Sequence, residues 1–461
     1  MGTRVLRTTA VTFALAAAVA CDRAPQVDNS RHAPAIERIV SSSPAWVDRD
    51  RLGSTLWKAE RDFYDSRKNL PAWMDGDKAT PRLAALVDAL KHSEDQGLDP
   101  ERYNADSFQQ AIAAAAQNKE RYELARIPEL DARLTYAYLR YAADLLGWSG
   151  NPKAVDATWL AAPNKVDLAD HLANAVSSDK VRESLDELAP SHPQYKGLQT
   201  ALQHERMNPT GHLDQIRINM ERWRWMPRDL GDRYILVNVP AYQMQVMEGN
   251  TPVLAMRVVV GDPKHTTPLF SDEMTTVVLS PNWNVPQSII QKEMLPKLVN
   301  DPAYLERQAI QVVGTSGETI DSAAVDWEDE SAVAGLHFRQ DPGPKNSLGL
   351  VKFLFPNQFD VYLHDTPSHS LFNKEHRALS HGCIRLENPV ALAQYVLRDR
   401  PEWTAERIDT AMHAGQEQGV PLKEKLPVHI AYFTTWVNAD GTVTYTDDPY
   451  HLDEKQEVQR L

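Results

Sequence analysis

Apolar side chains recur at helical spacing through residues 46–205 of this 461-residue chain. The clearest segment has apolar residues at positions i, i+3, i+4 and i+7, namely Leu83, Leu86, Val87 and Leu90. The preceding dipeptide Thr80-Pro81 suits a helix N-cap and first turn. Residues 130–145 repeat the spacing with leucine and tyrosine, and the alanine-rich run 111–116 has high helix propensity. This part is predicted to be an all-α scaffold domain whose aromatic stripes pack into its core.

The pattern changes after residue 208 to short β-branched runs that are separated by glycine, proline and asparagine. Strands are predicted at 234–239, 242–247, 255–260, 350–355 and 359–364. They indicate an antiparallel, β-rich domain over residues 215–405, followed by a C-terminal extension, 406–461. Residues 287–345 interrupt the domain with a helix and an acidic stretch, and an insertion of this length is expected to cap a site. The predicted fold class is multidomain α+β.

The first 21 residues have the features of an export signal. Basic residues precede the short apolar stretch 10–20, which is followed directly by Cys21. The small residues before Cys21 resemble a lipoprotein lipobox, although Ala18 stands where that motif usually has leucine. We expect a periplasmic lipoprotein that is anchored at the inner membrane through Cys21, with plain cleavage or an uncleaved anchor as alternatives. Residues 22–45, which are rich in proline, serine and alanine, are predicted to be a flexible tether.

The net charge and the cysteine content limit which partners and which reactive groups can be expected. A net charge of -14 argues against a nucleic-acid partner, and no membrane contact is expected beyond the N-terminal lipid or leader. The chain has 2 cysteines, and if the export signal takes Cys21, Cys383 has no disulfide partner. Oxidising compartments favour disulfides, so a lone thiol there is a candidate reactive group.

The residues around Cys383 fit a thiol nucleophile. A thiol attacks as its thiolate, and a neighbouring imidazole is the usual activator. His381 is two residues away with little freedom to reach the sulfur, whereas His364 ends a predicted strand and can approach it directly. Asp365 can orient His364 through its carbonyl or its carboxylate. The amides of Gly382 and Cys383 can point together at a developing oxyanion.

Two further side chains suit this site. Tyr362 lies on the same predicted strand face as His364 and offers a hydroxyl, and Arg385 brings a cation that suits a substrate carboxylate. A metal site is the alternative, because five potential ligands fall within 20 residues: His364, His369, His376, His381 and Cys383. Their spacings match no zinc pattern, so we predict no metal site here.

His364 followed by Ser380-His381-Gly382-Cys383 and Arg385 resembles the motif of YkuD-type L,D-transpeptidases, which build alternative cross-links in bacterial peptidoglycan. Further segments resemble the large YcbB-like subgroup of that family: 64–73, 97–103, 219–225, 237–242, 282–286, 342–346, 352–357 and 362–367. The resemblance therefore extends across nearly all of the chain after its leader.

The resemblance implies a role for each site residue. Cys383 is the nucleophile, His364 the base, and Asp365 the residue whose carbonyl orients it, while Gly382 and Cys383 form the oxyanion hole. The implied lining residues are Tyr362, His381, Arg385, Trp283 and Asn346, beneath the 287–345 cap. The implied reaction transfers a tetrapeptide stem through a thioester to an amine, giving a 3-3 cross-link without a cofactor. Carbapenems would acylate the thiol.

The implied partners are peptidoglycan stem peptides, penicillin-binding synthases and a carboxypeptidase that supplies tetrapeptides. A transferase that attaches lipoprotein, a hydrolase with the same residues, and a non-enzymatic wall-binding protein remain alternatives. One departure matters: only residues 204–214 join the two domains, too few for the peptidoglycan-binding module that the subgroup often carries. Wall recognition is therefore expected in the catalytic cleft, the cap or the scaffold.

Overall fold

The structure, a computed structural model, describes residues 28–460 except 77, 119–125, 162–163 and 302. The predicted export signal and Cys21 lie outside the described residues. No helix in the described part combines the length and the apolar character that a bilayer span requires.

The scaffold is helical, as predicted. Its helices are α1 (Ala33–Val40), α2 (Arg51–Ser66), α3 (Pro81–Lys91), α4 (Ala105–Asn118), α5 (Ile127–Leu145), α6 (Pro152–Val155), α7 (Leu168–Ser177), α8 (Val181–Leu188) and α9 (Pro193–Met207). A short hairpin joins β1 (Met74–Asp75) to β2 (Lys78–Ala79). Helix α5 is buried along most of its length because α1, α2, α3, α7 and α8 all contact it. The helices predicted from the leucine and tyrosine spacing are therefore confirmed.

The predicted tether is wrong where the structure describes it. Helix α1 lies within residues 22–45 and packs on α2 and α5. Ile36 and Val40 are fully or almost fully buried, and Ile39 packs against the same core. An eight-residue helix with one short apolar face gives only a weak periodic signal. The proline and serine residues around it therefore led to the prediction of a tether.

Helix α10 (Leu213–Trp225) leads from the scaffold into the β-rich domain. The strands of the main sheet are β3 (Arg233–Asn238), β4 (Gln243–Glu248), β5 (Thr251–Gly261), β6 (Phe270–Leu279), β11 (Val351–Leu354), β12 (Leu363–His364), β13 (Ala378–Ser380), β14 (Ile384–Leu386) and β15 (Gln418–Ala431). The later helices are α15 (Pro389–Leu397), α16 (Ala405–Met412) and α17 (Leu452–Arg460), and a hairpin joins β16 (Thr435–Val437) to β17 (Val443–Tyr445).

The main sheet has the order β13-β5-β14-β12-β11-β6-β15-β3-β4, and a further β4–β5 pairing closes the strands from β5 round to β4 into a ring. Closure leaves these strands without an open edge between β4 and β5. Three pairs are parallel, namely β12 with β14, β13 with β5, and β15 with β3. The sheet is therefore mixed: the predicted antiparallel arrangement holds for its other strand pairs but not for these three.

The predicted domain boundary at residue 405 is also wrong. Strand β15 lies in the predicted C-terminal extension, yet it pairs with β6 on one side and β3 on the other. Its first half contains lysine, glutamate and Pro421, and its register shifts between Pro421 and Leu426. Polar residues and proline hid the first half of the strand from the sequence pattern, whereas the apolar residues from Val428 onward are buried.

Residues between β6 and β11 form a separate small subdomain. It contains β7 (Trp283–Asn284), α11 (Gln287–Ile289), a π turn (Ile290–Met294), α12 (Leu295–Leu298), α13 (Tyr304–Arg307), β8 (Ile310–Val313), β9 (Thr319–Ile320), α14 (Glu330–Val333) and β10 (His337–Gln340). Its sheet has the order β7-β10-β8-β9, and it has an apolar core of its own. We call this subdomain the cap.

Candidate active site

The pairing of β12 with β14 brings four polar side chains to one face of the sheet. Leu363 stands opposite Ile384, and both are buried in the core of the main sheet. His364 stands opposite Arg385 in the same parallel ladder. Because side chains alternate along a strand, the other face carries Tyr362, His364, Cys383 and Arg385. The strand predicted over 359–364 is shorter than expected, since Asp360 turns the chain with a φ of 53°.

These four side chains line one pocket of about 250 Å³ together with His381. The cap supplies much of the opposite wall, with Trp283, Pro286, Ile289, Glu293, Met294, Tyr304, Gln308, Ile310 and Gln340. The predicted capping position of the insertion and the predicted wall position of Trp283 both agree with this arrangement.

His364 is buried and fixed by its neighbour. Its Nδ1 lies 2.5 Å from the backbone oxygen of Asp365, so this nitrogen carries the proton and Nε2 remains free to accept one. Burial, aided by the charge of Arg385, lowers the pKa of His364 to about 3. Asp365 was predicted to orient the ring through either its carbonyl or its carboxylate, and in the structure the carbonyl makes this contact. Its carboxylate instead accepts from the amides of Leu350 and Thr366, at 2.8 and 2.7 Å.

The Cys383 thiol is also uncharged at neutral pH. Burial raises its pKa to about 11, although Tyr362 and Arg385 act in the opposite direction. The thiol lies 3.8 Å from the carbonyl oxygen of Asp360. Within the described chain, no hydrogen bond joins this thiol to the imidazole of His364. The resting pair is therefore a neutral thiol and a neutral imidazole, and not a preformed ion pair.

The turn before Cys383 contradicts the prediction that the Gly382 amide donates to an oxyanion. Gly382 has a φ of 108°, which favours glycine, but its amide donates to Ser380 Oγ at 3.2 Å. The Gly382 amide is thus committed within the turn and is not a free oxyanion donor. The amide of Cys383 makes no hydrogen bond to any described residue.

Arg385 places a positive charge in the pocket without a protein counter-ion among the described residues. Its Nε is buried and has no hydrogen-bond partner, and burial lowers the pKa of its guanidinium. A half-buried cation in this state favours an anionic ligand, because a carboxylate would offset the loss of hydration.

His381 contacts the cap, whereas Asn346 lies behind the wall. The Nε2 of His381 is 2.5 Å from Oε1 of Glu293, and its ring centroid is 4.6 Å from that of His265. Asn346 is buried, and its side-chain nitrogen donates to the carbonyl of Pro281 at 2.9 Å. Its oxygen accepts from a backbone amide of its own loop. The prediction that Asn346 lines the pocket is wrong, because its amide is used to fix this loop.

Two of the clustered histidines lie elsewhere. His369 lines a different cavity, beside the carboxyl group of Asp365. His376 is exposed, 3.9 Å from Asp447. The structure therefore brings only part of the five-residue His/Cys cluster into the pocket around Cys383.

Sequence reasoning missed three residues that shape the site. Ser380 accepts from Gly382 and donates to the carbonyl of Cys383 at 2.6 Å, so it fixes the turn from both sides. Thr267 donates to the carbonyl of Gly382 at 2.8 Å, and Glu293 contacts His381. Ser380 stood inside the recognised motif and could have been assigned. Thr267 and Glu293 lie 115 and 88 residues from their partners and gave no local signal.

Comparison with known families agrees with this geometry. A scaffold-domain family matches residues 58–202, and the L,D-transpeptidase catalytic domain family, YkuD, matches residues 232–430. A curated Haemophilus influenzae protein that is provisionally named an L,D-transpeptidase is 28% identical over 400 residues. That alignment covers 85% of this chain and 78% of the relative. The matched YkuD region includes every candidate site residue after Cys21 and most of β15.

Solved structures add little to this comparison. An L,D-transpeptidase from Mycobacterium smegmatis is 14% identical, with a TM-score of 0.20, and covers 43% of this chain and 58% of its own. L,D-transpeptidase 1 from Mycobacterium tuberculosis is 11% identical, with a TM-score of 0.17, and covers 43% of this chain and 61% of its own. This chain thus spans about three-fifths of those two proteins. On these matches, residues 58–202 form a scaffold domain and residues 232–430 form an L,D-transpeptidase catalytic domain of the YkuD type.

Proposed function

We propose that this protein is a cysteine acyltransferase that makes 3-3 cross-links between peptidoglycan stem peptides. The observation that carries the proposal is the shared face of β12 and β14, which presents a thiol, an imidazole and an unpaired guanidinium beneath the cap. These groups are the nucleophile, the base and the carboxylate-binding cation that transfer of a peptide acyl group needs.

In the first step, the sulfur of Cys383 attacks the carbonyl carbon of diaminopimelate at position 3 of a tetrapeptide stem. Because thiol and imidazole both start neutral, the thiol proton passes to His364 Nε2 as the bond forms. The carbonyl of Asp365 holds the Nδ1 proton throughout. The C–N bond to the terminal D-alanine then breaks, His364 returns the proton to the leaving amine, and a thioester remains. The unpartnered amide of Cys383 is the donor available to the oxyanion.

In the second step, the side-chain amine of a neighbouring diaminopimelate attacks the thioester. His364 accepts a proton from that amine, the C–S bond breaks, and Cys383 regains its proton. Arg385 binds a stem carboxylate during both steps. The apolar side chains of Ile289 and Met294 in the cap limit the access of water, which favours transfer to an amine over hydrolysis.

Product analysis tests this function. Purified disaccharide tetrapeptide is incubated with the wild type and with Cys383→Ala, and the products are separated and identified by mass. We expect 3-3 dimers from the wild type and none from the variant. Shortened monomers without dimers would instead identify a hydrolase, and lipoprotein-linked stems in cells would identify a lipoprotein transferase.

Thiol acylation has a separate test with a carbapenem. We expect intact mass spectrometry to show one meropenem adduct on the wild type and none on Cys383→Ala. No adduct on the wild type, or an equal adduct on the variant, would contradict acylation of this thiol.

We also propose that the protein works in the periplasm, anchored at the inner membrane by a lipid on Cys21. A carboxypeptidase would supply its tetrapeptide donors, and penicillin-binding synthases would supply the strands. Membrane fractionation of the wild type and Cys21→Ala tests the anchor. We expect the variant to leave the membrane fraction, and equal retention would contradict lipidation.

A further inference from the structure

A second cleft, of about 780 Å³, lies between the scaffold and the end of α10, and it shares no lining residue with the pocket around Cys383. Its walls come from α2, from residues 146–153, from described residues between Trp159 and Asp167, and from the end of α10. Its volume falls within the roughly 300–1,000 Å³ of typical ligand sites, which often lie at domain junctions. The backbone amide of Leu160 donates to the carbonyl of Leu269, the residue before β6, at 2.8 Å and ties this wall to the catalytic domain.

Three tryptophans line the cleft. Trp159 and Trp225 are buried and meet edge to face, with ring centroids 5.0 Å apart. Trp148 is half-buried, and its Nε1 donates to the carbonyl of Asn164 at 2.9 Å, which fixes the ring at the cleft. The exposed part of the Trp148 ring offers a rigid apolar surface that suits the C–H face of a pyranose ring, and the buried Trp159 and Trp225 form the floor beneath it.

One of these rings lacks a hydrogen-bond partner. The Nε1 of Trp225 is buried without an acceptor, and Trp225 itself is only 4% exposed. Gly150, which also lines the cleft, packs against this nitrogen, and a Cβ at that position would lie 2.5 Å from it. A buried donor without an acceptor is costly, so this site calls for an oxygen from water or from a ligand.

The rim of the cleft is cationic. Arg51, Lys153 and Lys165 are exposed there and form no ion pair with any part of the chain that the structure describes. The carboxylate of Asp167 is used as the N-cap of α7, where it accepts from the amides of Ala169 and Asp170. This concentration of positive charge stands out in a chain with a net charge of -14. It favours a ligand that carries carboxylates.

We propose that this cleft binds the glycan strand of peptidoglycan, with the half-buried Trp148 against an amino-sugar ring and the cationic rim facing carboxylates of its stem peptides. The identity of the polymer rests on the proposed function. Between α9 and α10 only residues 208–212 are non-helical, so no separate wall-binding module separates the domains. The cleft would hold the polymer while the pocket around Cys383 takes a stem peptide.

Co-sedimentation with purified, protein-free peptidoglycan sacculi tests the proposal on the full chain that carries Cys383→Ala, so that turnover does not contribute. The main variant is the pair Lys153→Ala and Lys165→Ala, and the second is Gly150→Ala, whose new methyl group crowds the Trp225 indole. The matched control is Lys180→Ala with Lys196→Ala, an equal change of charge on exposed scaffold residues outside the cleft. We expect each cleft variant to weaken binding about tenfold and the control to retain it.

The same substitutions with Cys383 intact are then given soluble disaccharide tetrapeptide. Unchanged acylation of Cys383 with weakened sacculus binding supports the cleft as a polymer site. Unchanged sacculus binding in both cleft variants overturns the proposal, as does an equal loss in the control. A form without residues 1–27 tests whether the chain's own N-terminal segment occupies the cleft. If sacculus binding depends on the cleft only after this removal, the proposal is also overturned. Failure of every form to use the soluble donor contradicts the proposed function alone, because sacculus binding is measured separately.

Discussion

Oε1 of Glu293 lies 2.5 Å from Nε2 of His381, so a side chain of the cap contacts the turn that carries Cys383. Glu293 belongs to the π turn Ile290–Met294, and such wide turns are frequent at functional sites. The two side chains are 36% and 37% exposed, so solvent screens part of their attraction. This contact holds the cap over a pocket that is small for a tetrapeptide, at about 250 Å³.

Removal of the charge on Glu293 is expected to loosen the cap. In Glu293→Gln the side chain keeps its shape but loses the charged acceptor of this contact, and we expect meropenem to acylate Cys383 roughly two- to fivefold faster, the range for a partly exposed side-chain contact. Amide hydrogen exchange across residues 287–298 should rise in parallel. Glu306→Gln is the matched control, because Glu306 is an exposed cap residue whose carboxylate forms no described ion pair. Slower acylation would instead show that Glu293 positions His381 for the chemistry.

The thiol is expected to become reactive only as the pH rises. Burial raises the pKa of Cys383 to about 11, so its thiolate fraction grows about tenfold per pH unit below that value. We expect the rate of iodoacetamide alkylation to rise in this way from pH 7 to 9, followed by the mass of the peptide that contains Cys383. In urea the same thiol should level off near its ordinary pKa of about 8.5.

Substitution of Arg385 provides a second test of the pKa of Cys383. Its positive charge favours the thiolate, so Arg385→Gln should slow alkylation at each pH below the thiol pKa. A native rate that is already constant below pH 7 would contradict the neutral pair and indicate a preformed thiolate and imidazolium.

The sequence predicts the reactive groups better than their surroundings. Cys383 and Arg385 are near neighbours in the chain, and His364 ends the adjacent strand, so one local motif was enough to bring them together. The Gly382 amide was assigned wrongly because backbone donors look alike in a sequence, and only the structure shows that Ser380 accepts from this one. The contact between Glu293 and His381 depends on how the whole cap docks, which no local pattern encodes.

The limits of the fold prediction have a similar cause. Strand β15 combines an exposed, charged half with a buried half, and its partners β3 and β6 lie far away in the chain. Asn346 looked like a polar wall residue, but its amide instead satisfies the carbonyls of a loop that the sequence leaves undefined. The pairing of β15 and the place of Asn346 depend on burial and tertiary contacts. Helices α3 and α5, in contrast, could be predicted from the spacing of their own apolar residues.

Ser380 is expected to be a positioning residue for the nucleophile. Ser380→Ala removes the acceptor of the buried Gly382 amide and the donor to the Cys383 carbonyl. We expect a loss of about 1–3 kcal/mol in the free energy of unfolding and about tenfold slower acylation by meropenem. Ser380→Thr retains a hydroxyl and should recover much of both. Full activity and stability in Ser380→Ala would show that the turn holds its shape without this side chain.

Gly349→Ala is expected to disturb the support of His364 from a distance. A Cβ on Gly349 would lie 2.3 Å from Oδ2 of Asp365, the residue whose carbonyl fixes the imidazole. Gly349 also has a φ of 61°, and alanine there adds about 1 kcal/mol of backbone strain.

The control for this substitution separates the clash from the strain. Gly249→Ala, in the turn between β4 and β5, has a similar φ of 55° with nothing within 4 Å, so it carries the backbone cost alone. We expect Gly349→Ala to lose roughly 2–4 kcal/mol in urea unfolding and to acylate about tenfold more slowly. Gly249→Ala should lose about 1 kcal/mol and keep its rate. Equal effects of the two variants would show that Asp365 moves aside without displacing His364.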